Sequence, residues 1–516
     1  MLPEYRSTTY LDYSRPEHDA GMREALALVR SQAAASHPLV IGGKRIQTSA
    51  TFQSFNPSNP SESLGTFAKG GSEHVPMAVE AATKAFPAWA AISPEERANV
   101  LLRIAGILRL RRHEMSATMV LEVGKSWGEA DGDTAEAIDF CDFYAREMIR
   151  YAERQPITPY PGENNSLVYI PLGVGVVIPP WNFPCAITLG MTVATIVTGN
   201  TCILKPSSDA PLIAWKLFEI LEEAGVPPGV VNFLPGPGGT VGDALVEHPG
   251  VWLIAFTGSM PVGIGINERA AKVQKGQIWL KRAILEMGGK DFTIVDEEAD
   301  LDAAVAGVYA AAFGFQGQKC SACSRAIVHA KLYDTFLERL VAKVKTMTIG
   351  PTEKKENYLG PVVNAGAEKT ILEYMEIGKK EGRLLIGGGK HSGPGHFLQP
   401  TVIADIAPAA RISQEEIFGP VLAVLKTTSF EESIGIANGT IFGLTGAYYS
   451  RDRAKVAEAK RRLHVGNLYL NRRCTGALVG IHPFGGFNMS GTDSKAGGRD
   501  YLGLFLQGKT IAEYVG

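Results

Sequence analysis

"VYIPLGVGVVIPPWNFPCAITLGMTVATIVTGN", residues 168–200, is the most apolar run of a 516-residue chain, and its reading decides the fold. A membrane-spanning helix needs about 20 consecutive apolar residues. Here Pro179, Pro180, Asn182 and Pro184 fall in the middle, and each proline removes an amide donor and fixes φ. The run therefore predicts a buried strand, a proline-fixed loop and a core helix.

The same texture continues downstream. "NTCILKP" (200–206), "GVVNFLPG" (229–236) and "VWLIAFTG" (251–258) are short apolar runs, and "LIAWKLFEILEEAG" (212–225) is helical. Strand and helix in alternation imply an α/β fold, a mostly parallel sheet with helices on its faces. The pattern resumes after residue 291 with "DFTIVD", "SRAIVHA", "LYDTFLERLVAKVKTM", "GPVLAVLK" and "GLTGAYYS", which implies a second α/β domain. Upstream, Ser93, Pro94 and Glu96 make an N-cap, a first-turn proline and a capping-box acid. Val100, Leu101, Ile104 and Leu108 then recur at helical spacing, and residues 133–153 predict another helix. A short helix is expected over 20–35 and a strand over 38–47.

Composition narrows the function classes. With 51 basic against 53 acidic side chains, the net charge of -2 gives no reason to expect nucleic acid or a membrane surface as partner. The first 20 residues are polar and lack an apolar signal-peptide centre. Cysteines at 141, 185, 202, 320, 323 and 474 form no evenly spaced framework, as expected of a reducing, cytoplasmic compartment.

"GFQGQKCSACSR" (314–325) brings two of those thiols within three positions. A zinc knuckle needs about four ligands, and no second Cys-x-x-Cys exists; His391 and His396 stand in a Gly/Pro loop. A redox pair usually opens a helix, whereas "SRAIVHA" reads as a strand. The third reading is one nucleophile, Cys320, after a Gly- and Gln-rich turn, with Lys319 favouring its thiolate. Such a nucleophile needs an oxyanion partner and a base. Asn182 in "PPWNFP" and Glu286 in "LEMGGKD" are the candidates, against the plainer readings of a capping Asn and a solvated Glu.

"PPWNFP", "LKPSSDAP", "FTGSMPVG", "LEMGGKD", "GQKCSACSR", "EEIFGPV" and "PFGGFNMSG" stand in the order and spacing of the aldehyde dehydrogenase superfamily, which the chain resembles from about residue 38 to its end. The resemblance implies Cys320 as nucleophile, Asn182 with the Cys320 amide as oxyanion donors, and Glu286 as the base of deacylation. It also implies Lys205 at the adenosine ribose, Gly258 and Ser259 under the pyrophosphate, and Glu416 and Phe418 beside the nicotinamide. Cys323 and Cys474 match no catalytic position. "GPGGTVG" (236–242) is read as strand-to-helix packing. NAD is the implied cofactor, with use of NADP left open because Ser208 stands where many NAD-preferring relatives carry a carboxylate, and Asp209 follows.

Within the superfamily the chain is similar to the L-glutamate γ-semialdehyde dehydrogenases, through "YPGENNSLVYIPLGVGVVIPPWNFP", "GFQGQKCSA", "AEAIDF" and "NRRCTGALVGIHPFGGF". That similarity implies a step of proline catabolism, with Gly476, Ala477 and Ser321 at the substrate α-carboxylate, Glu136 at the catalytic end, and Phe183 and Phe484 along the aliphatic middle. The alternatives are another small semialdehyde as substrate, or a retired enzyme serving as a binding or structural protein. The implied organisation is a helical extension (1–36), a Rossmann-like NAD domain (37–150 and 171–285), a catalytic domain (286–470), and a β flap (151–170 and 490–516). The flap would pair copies into a homodimer or an assembly of dimers.

Overall fold

The computed structural model describes residues 3–516. Val174–Ile178 is the buried strand of the apolar run, and Ala186–Val197 is the core helix beyond the prolines. Among the described residues no helix is long and apolar enough to cross a membrane.

That strand belongs to a seven-stranded sheet, in the order Arg282–Glu286, Leu253–Thr257, Val174–Ile178, Thr201–Leu204, Val231–Phe233, Leu39–Ile41 and Lys44–Ile46. The first five are parallel, and the last two, a hairpin turning at Gly42 and Gly43, run antiparallel. Burial on both faces explains why these strands read as continuous apolar runs. Chain order reverses between Val174–Ile178 and Leu253–Thr257. A crevice opens beyond the carboxyl ends of such neighbours.

A second seven-stranded sheet runs Arg383–Ile386, Thr401–Ala404, Val421–Thr427, Arg325–His329, Phe292–Val295, Thr445–Tyr449 and Asn467–Leu470. Only its first strand is antiparallel. Two hydrophobic clusters of its own pack on its faces.

The helical layer of the first unit follows its caps. Ser93 and Glu96 form the reciprocal capping box at the start of Pro94–Leu110. The chain breaks at Arg111, resumes as Arg112–Val123, and stops at Gly124 with φ +68°, a left-handed position that suits glycine. Trp127–Ala152 follows, starting six residues earlier than the pattern at 133 suggested. The first helix is Pro16–Ser31, shifted toward the N-terminus by its first-turn proline.

Glu163–Pro171 and Leu506–Tyr514 pair antiparallel as a two-stranded ribbon. Residues 490–505, expected with the flap, are elsewhere. Met287 N donates to Ser490 O at 2.8 Å, and Tyr501, Leu502 and Phe505 are buried in the first unit. The glycine-rich stretch before them wraps the end of strand Arg282–Glu286, so the ribbon begins only at Leu506.

Candidate active site

Two cavities meet at Cys320. A cleft of about 780 Å³ runs along the carboxyl ends of the first sheet, and a narrow pocket of about 130 Å³ opens on the other side; Cys320 lines both. Asn182, Lys205, Ser208, Gly258, Ser259, Glu416 and Phe418 all face the cleft. Glu136, Phe183, Glu286, Ser321, Gly476, Ala477 and Phe484 all face the pocket. The residues that the resemblance assigned to substrate, cofactor and catalysis thus fall on two surfaces that meet at Cys320, with Phe256, Thr257 and Met287 also shared.

The turn before Cys320 is backbone-strained. After helix Leu301–Phe313, Phe315 and Gln316 take φ of +49° and +57°, left-handed values that non-glycine residues adopt at a cost. Gln316 Nε2 offsets this by donating to Gly124 O at 2.9 Å and Pro361 O at 2.7 Å. Gln318 Oε1 accepts from Val363 N at 2.9 Å. Among the described residues the amide of Cys320 has no backbone acceptor, so it is free to donate into the site.

Burial pushes the Cys320 thiol well up, and Asp291, Glu416 and Glu286 push the same way, while the Ser321 amide opposes them. Lys319 does not help the thiolate as expected, because its Nζ pairs with Glu129 at 2.6 Å. Cys323 lies in the core of the second unit, its Sγ donating to Thr293 Oγ1 at 3.3 Å. His396, a conceivable zinc partner, instead pairs with Glu368 at 2.7 Å. The two thiols of the motif therefore sit in different environments.

Asn182, just past Pro179 and Pro180, donates one Nδ2 hydrogen to Gln318 O at 3.1 Å. Its second hydrogen remains for an oxyanion alongside the Cys320 amide. Glu286 closes its strand, and Ser494 Oγ donates to Oε1 at 2.6 Å, while Oε2 has no partner. Burial pushes this carboxyl up to about 7, with the Ser494 bonds opposing. A carboxyl near neutrality with one free oxygen suits a general base.

The twin glycines of "LEMGGKD" have a steric cause. A Cβ on Gly288 would lie 2.1 Å from the Glu416 carboxylate, and one on Gly289 would lie 2.7 Å from Cys320 O. Gly289 N donates to Glu416 Oε1 at 3.1 Å. Only glycine lets the chain beyond the strand end pass between the cleft carboxylate and Cys320.

A thiol, two unspent N–H donors and a buried carboxyl thus meet at the junction of a long cleft and a small pocket. The family model described as the aldehyde dehydrogenase family covers residues 45–511. This chain belongs to that family. The 1-pyrroline-5-carboxylate dehydrogenase of Geobacillus thermodenitrificans is 53% identical over 513 residues, 99% of this chain and 100% of that protein. 1-Pyrroline-5-carboxylate dehydrogenase 2 of Bacillus subtilis is 52% identical with the same coverage. A solved 1-pyrroline-5-carboxylate dehydrogenase from Thermus, with bound NAD, superimposes with a TM-score of 0.98 at 50% identity, covering 99% of each chain.

The cleft of this aldehyde dehydrogenase has the chemistry of a dinucleotide site. Helix Met260–Ala271 opens behind Gly258 and Ser259 with no side chain capping its first amides, a ready anion site. Lys205 lies one residue past strand Thr201–Leu204, rather than in it. Its buried ammonium has only Pro206 O, at 3.3 Å, and burial lowers it to about 8. "GPGGTVG" is more than packing: Gly238, Gly239 and Gly242 form a helical turn on the cleft wall. Ser208 is exposed on the rim, and Asp209 accepts from Asn364 Nδ2 at 2.9 Å. Trp181 packs edge-on against Phe418, ring centres 5.5 Å apart.

In the pocket, Arg472 donates to Thr475 O and Gly476 O at 3.2 and 3.0 Å. This holds the carbonyls back, and among the described residues the amides of Gly476 and Ala477 have no backbone acceptor. Gly476 has φ +81°, which favours glycine. Burial, with Asp133 adding, pushes Glu136 up to about 8. Phe484 and Ala496 exchange two backbone bonds, at 2.9 and 2.7 Å. Sequence reasoning missed Ser494, Gln316 and Gly289 as parts of the site. Only the glycine-rich spelling around them carried a signal.

Proposed function

We propose that this aldehyde dehydrogenase oxidises L-glutamate γ-semialdehyde, the open form of 1-pyrroline-5-carboxylate, to L-glutamate with NAD, a step in the breakdown of proline. The carrying observation is the pair of free amides at Gly476 and Ala477, which line, with Cys320, a pocket too small for a bulky aldehyde. Two amides suit a carboxylate, and Glu136 lines the same pocket at the catalytic end. The full-length relatives at 52–53% identity carry the name of this activity.

NAD held in the cleft by Lys205 and the helix at Ser259 supplies the two-electron acceptor. Cys320 Sγ, its proton released to solvent, adds as the thiolate to the aldehyde carbon, and Asn182 Nδ2 with Cys320 N stabilises the oxyanion. Oxidation leaves a glutamyl thioester on Cys320. Glu286 Oε2 then takes a proton from the attacking water, glutamate leaves, and Cys320 is regenerated as the thiolate. The Ser494 hydroxyl keeps Oε1 occupied, so Oε2 is the oxygen turned to water.

The six free thiols agree with a cytoplasmic setting. The ribbon of Glu163–Pro171 and Leu506–Tyr514 is proposed to pair with a second copy, because its outer residues, such as Ile511 and Tyr514, are exposed strand surface. A panel of semialdehydes with NAD and NADP in parallel tests the substrate reading. Glutamate γ-semialdehyde with NAD should give the highest kcat/KM, and Cys320→Ala should abolish it. A preference for a dicarboxylic semialdehyde would contradict the reading.

A further inference from the structure

Pro3–Tyr13 takes no part in the chemistry above, yet it is pinned along its length to helix Trp127–Ala152. Arg146 Nε donates to Pro3 O at 3.0 Å, Thr8 N donates to Asp139 Oδ1 at 2.8 Å, and Leu11 N donates to Asp131 Oδ2 at 2.8 Å. Arg112 secures the last anchor, donating to Asp131 Oδ1 at 2.6 Å and to Thr9 O at 2.8 Å. Positions 131, 139 and 146 are about two turns apart and share one helix face. The eight steps from Pro3 to Leu11 span roughly 26 Å when extended. The fifteen helical steps from 131 to 146 rise about 22 Å, so the segment runs nearly taut and antiparallel to the helix. Asp131 and Asp139 are both buried.

On its other side the segment touches the pocket. Tyr5 Oη donates to Val479 O at 3.0 Å, and its ring stands edge-on to Phe143 at 5.2 Å. Gly480, with φ +74°, leaves the room for it: a Cβ there would lie 2.8 Å from Tyr5 Cε1. Val479 is a pocket wall in the same loop as Gly476 and Ala477. Tyr10 lies over Gly132, whose Cβ would come 3.9 Å from its ring, one turn before Glu136.

We propose that Pro3–Tyr13 is a specificity strap that holds the Gly476–Val479 loop at a fixed distance from the helix carrying Glu136, with Tyr5 as its positioning residue. The loop receives the carboxylate, and the helix walls the pocket with Glu136, Phe140 and Tyr144. The strap is bonded to both, so it sets their separation. This rests on the substrate reading above. An aldehyde without an amino-acid head does not use the loop amides and is indifferent to the strap.

Tyr5→Phe removes only the hydroxyl, and Tyr5→Ala also removes the ring. Each is compared with the unaltered enzyme on glutamate γ-semialdehyde and on butanal, with amide hydrogen exchange followed over 476–482. For Tyr5→Phe, KM for the semialdehyde should rise about 3- to 10-fold, the size of one lost hydrogen bond. Its kcat and both constants for butanal should stay within about twofold, and exchange over 476–482 should quicken. Tyr5→Ala should exaggerate the same split. Unchanged semialdehyde KM overturns the proposal, and so does an equal loss on both aldehydes, which marks a general structural role. If the unaltered enzyme ignores the semialdehyde, the substrate reading alone falls. Exchange over 476–482 in Tyr5→Phe then decides the strap: faster supports it, unchanged overturns it.

Discussion

In the proposed reaction Glu286 carries the second half, and its environment sets when it can. Burial raises its carboxyl to about 7. The acid form cannot accept a proton, so the active base grows as pH rises through 7 and is lost below it. We predict that kcat rises across about pH 6 to 8 and then levels, wherever deacylation limits. In Glu286→Gln the limb should vanish and kcat should fall about 100-fold or more, the usual scale of a missing base. A limb that survives this substitution would assign it to another group. The sequence marked Cys320, Asn182 and Glu286, because each is a reactive type in a tight Gly/Pro setting. It did not reveal Lys319 turned onto Glu129, or Ser494 on Glu286, because these pairings join residues 190 and 208 positions apart.

Elements were legible where one force dominates. Val174–Ile178 and Ala186–Val197 followed from apolar runs cut by proline, and Pro94–Leu110 from its capping box. Boundaries failed where tertiary contact overrides local pattern. Arg111 splits one helical pattern in two, and residues 490–505 join the active site instead of the flap. The ribbon itself remains a strand pair with exposed outer residues, so its assembly role can be tested without touching the pocket. Deleting residues 507–516 should lower the mass by light scattering toward that of one chain and reduce activity with it. An intact protein already monomeric at micromolar concentration would remove the pairing proposal.

Across the whole molecule, the two sheets present their loops to one sulfur, with the cleft on one side and the pocket on the other. The order of motifs made this architecture legible, since "FTGSMPVG", "LEMGGKD" and "GQKCSACSR" each end a strand or begin a turn at the junction. The pocket walls were not, because their shape depends on the strap, the Gly476 loop and the Trp127–Ala152 helix meeting from three distant parts of the chain. The proposed reaction divides at a thioester on Cys320. Rapid mixing of Glu286→Gln with NAD and glutamate γ-semialdehyde, read at the NADH band and by intact mass, tests it most directly. A burst of about one NADH per subunit is expected, with a glutamyl adduct that maps to Cys320. A slow linear rise with no burst and no adduct would contradict it.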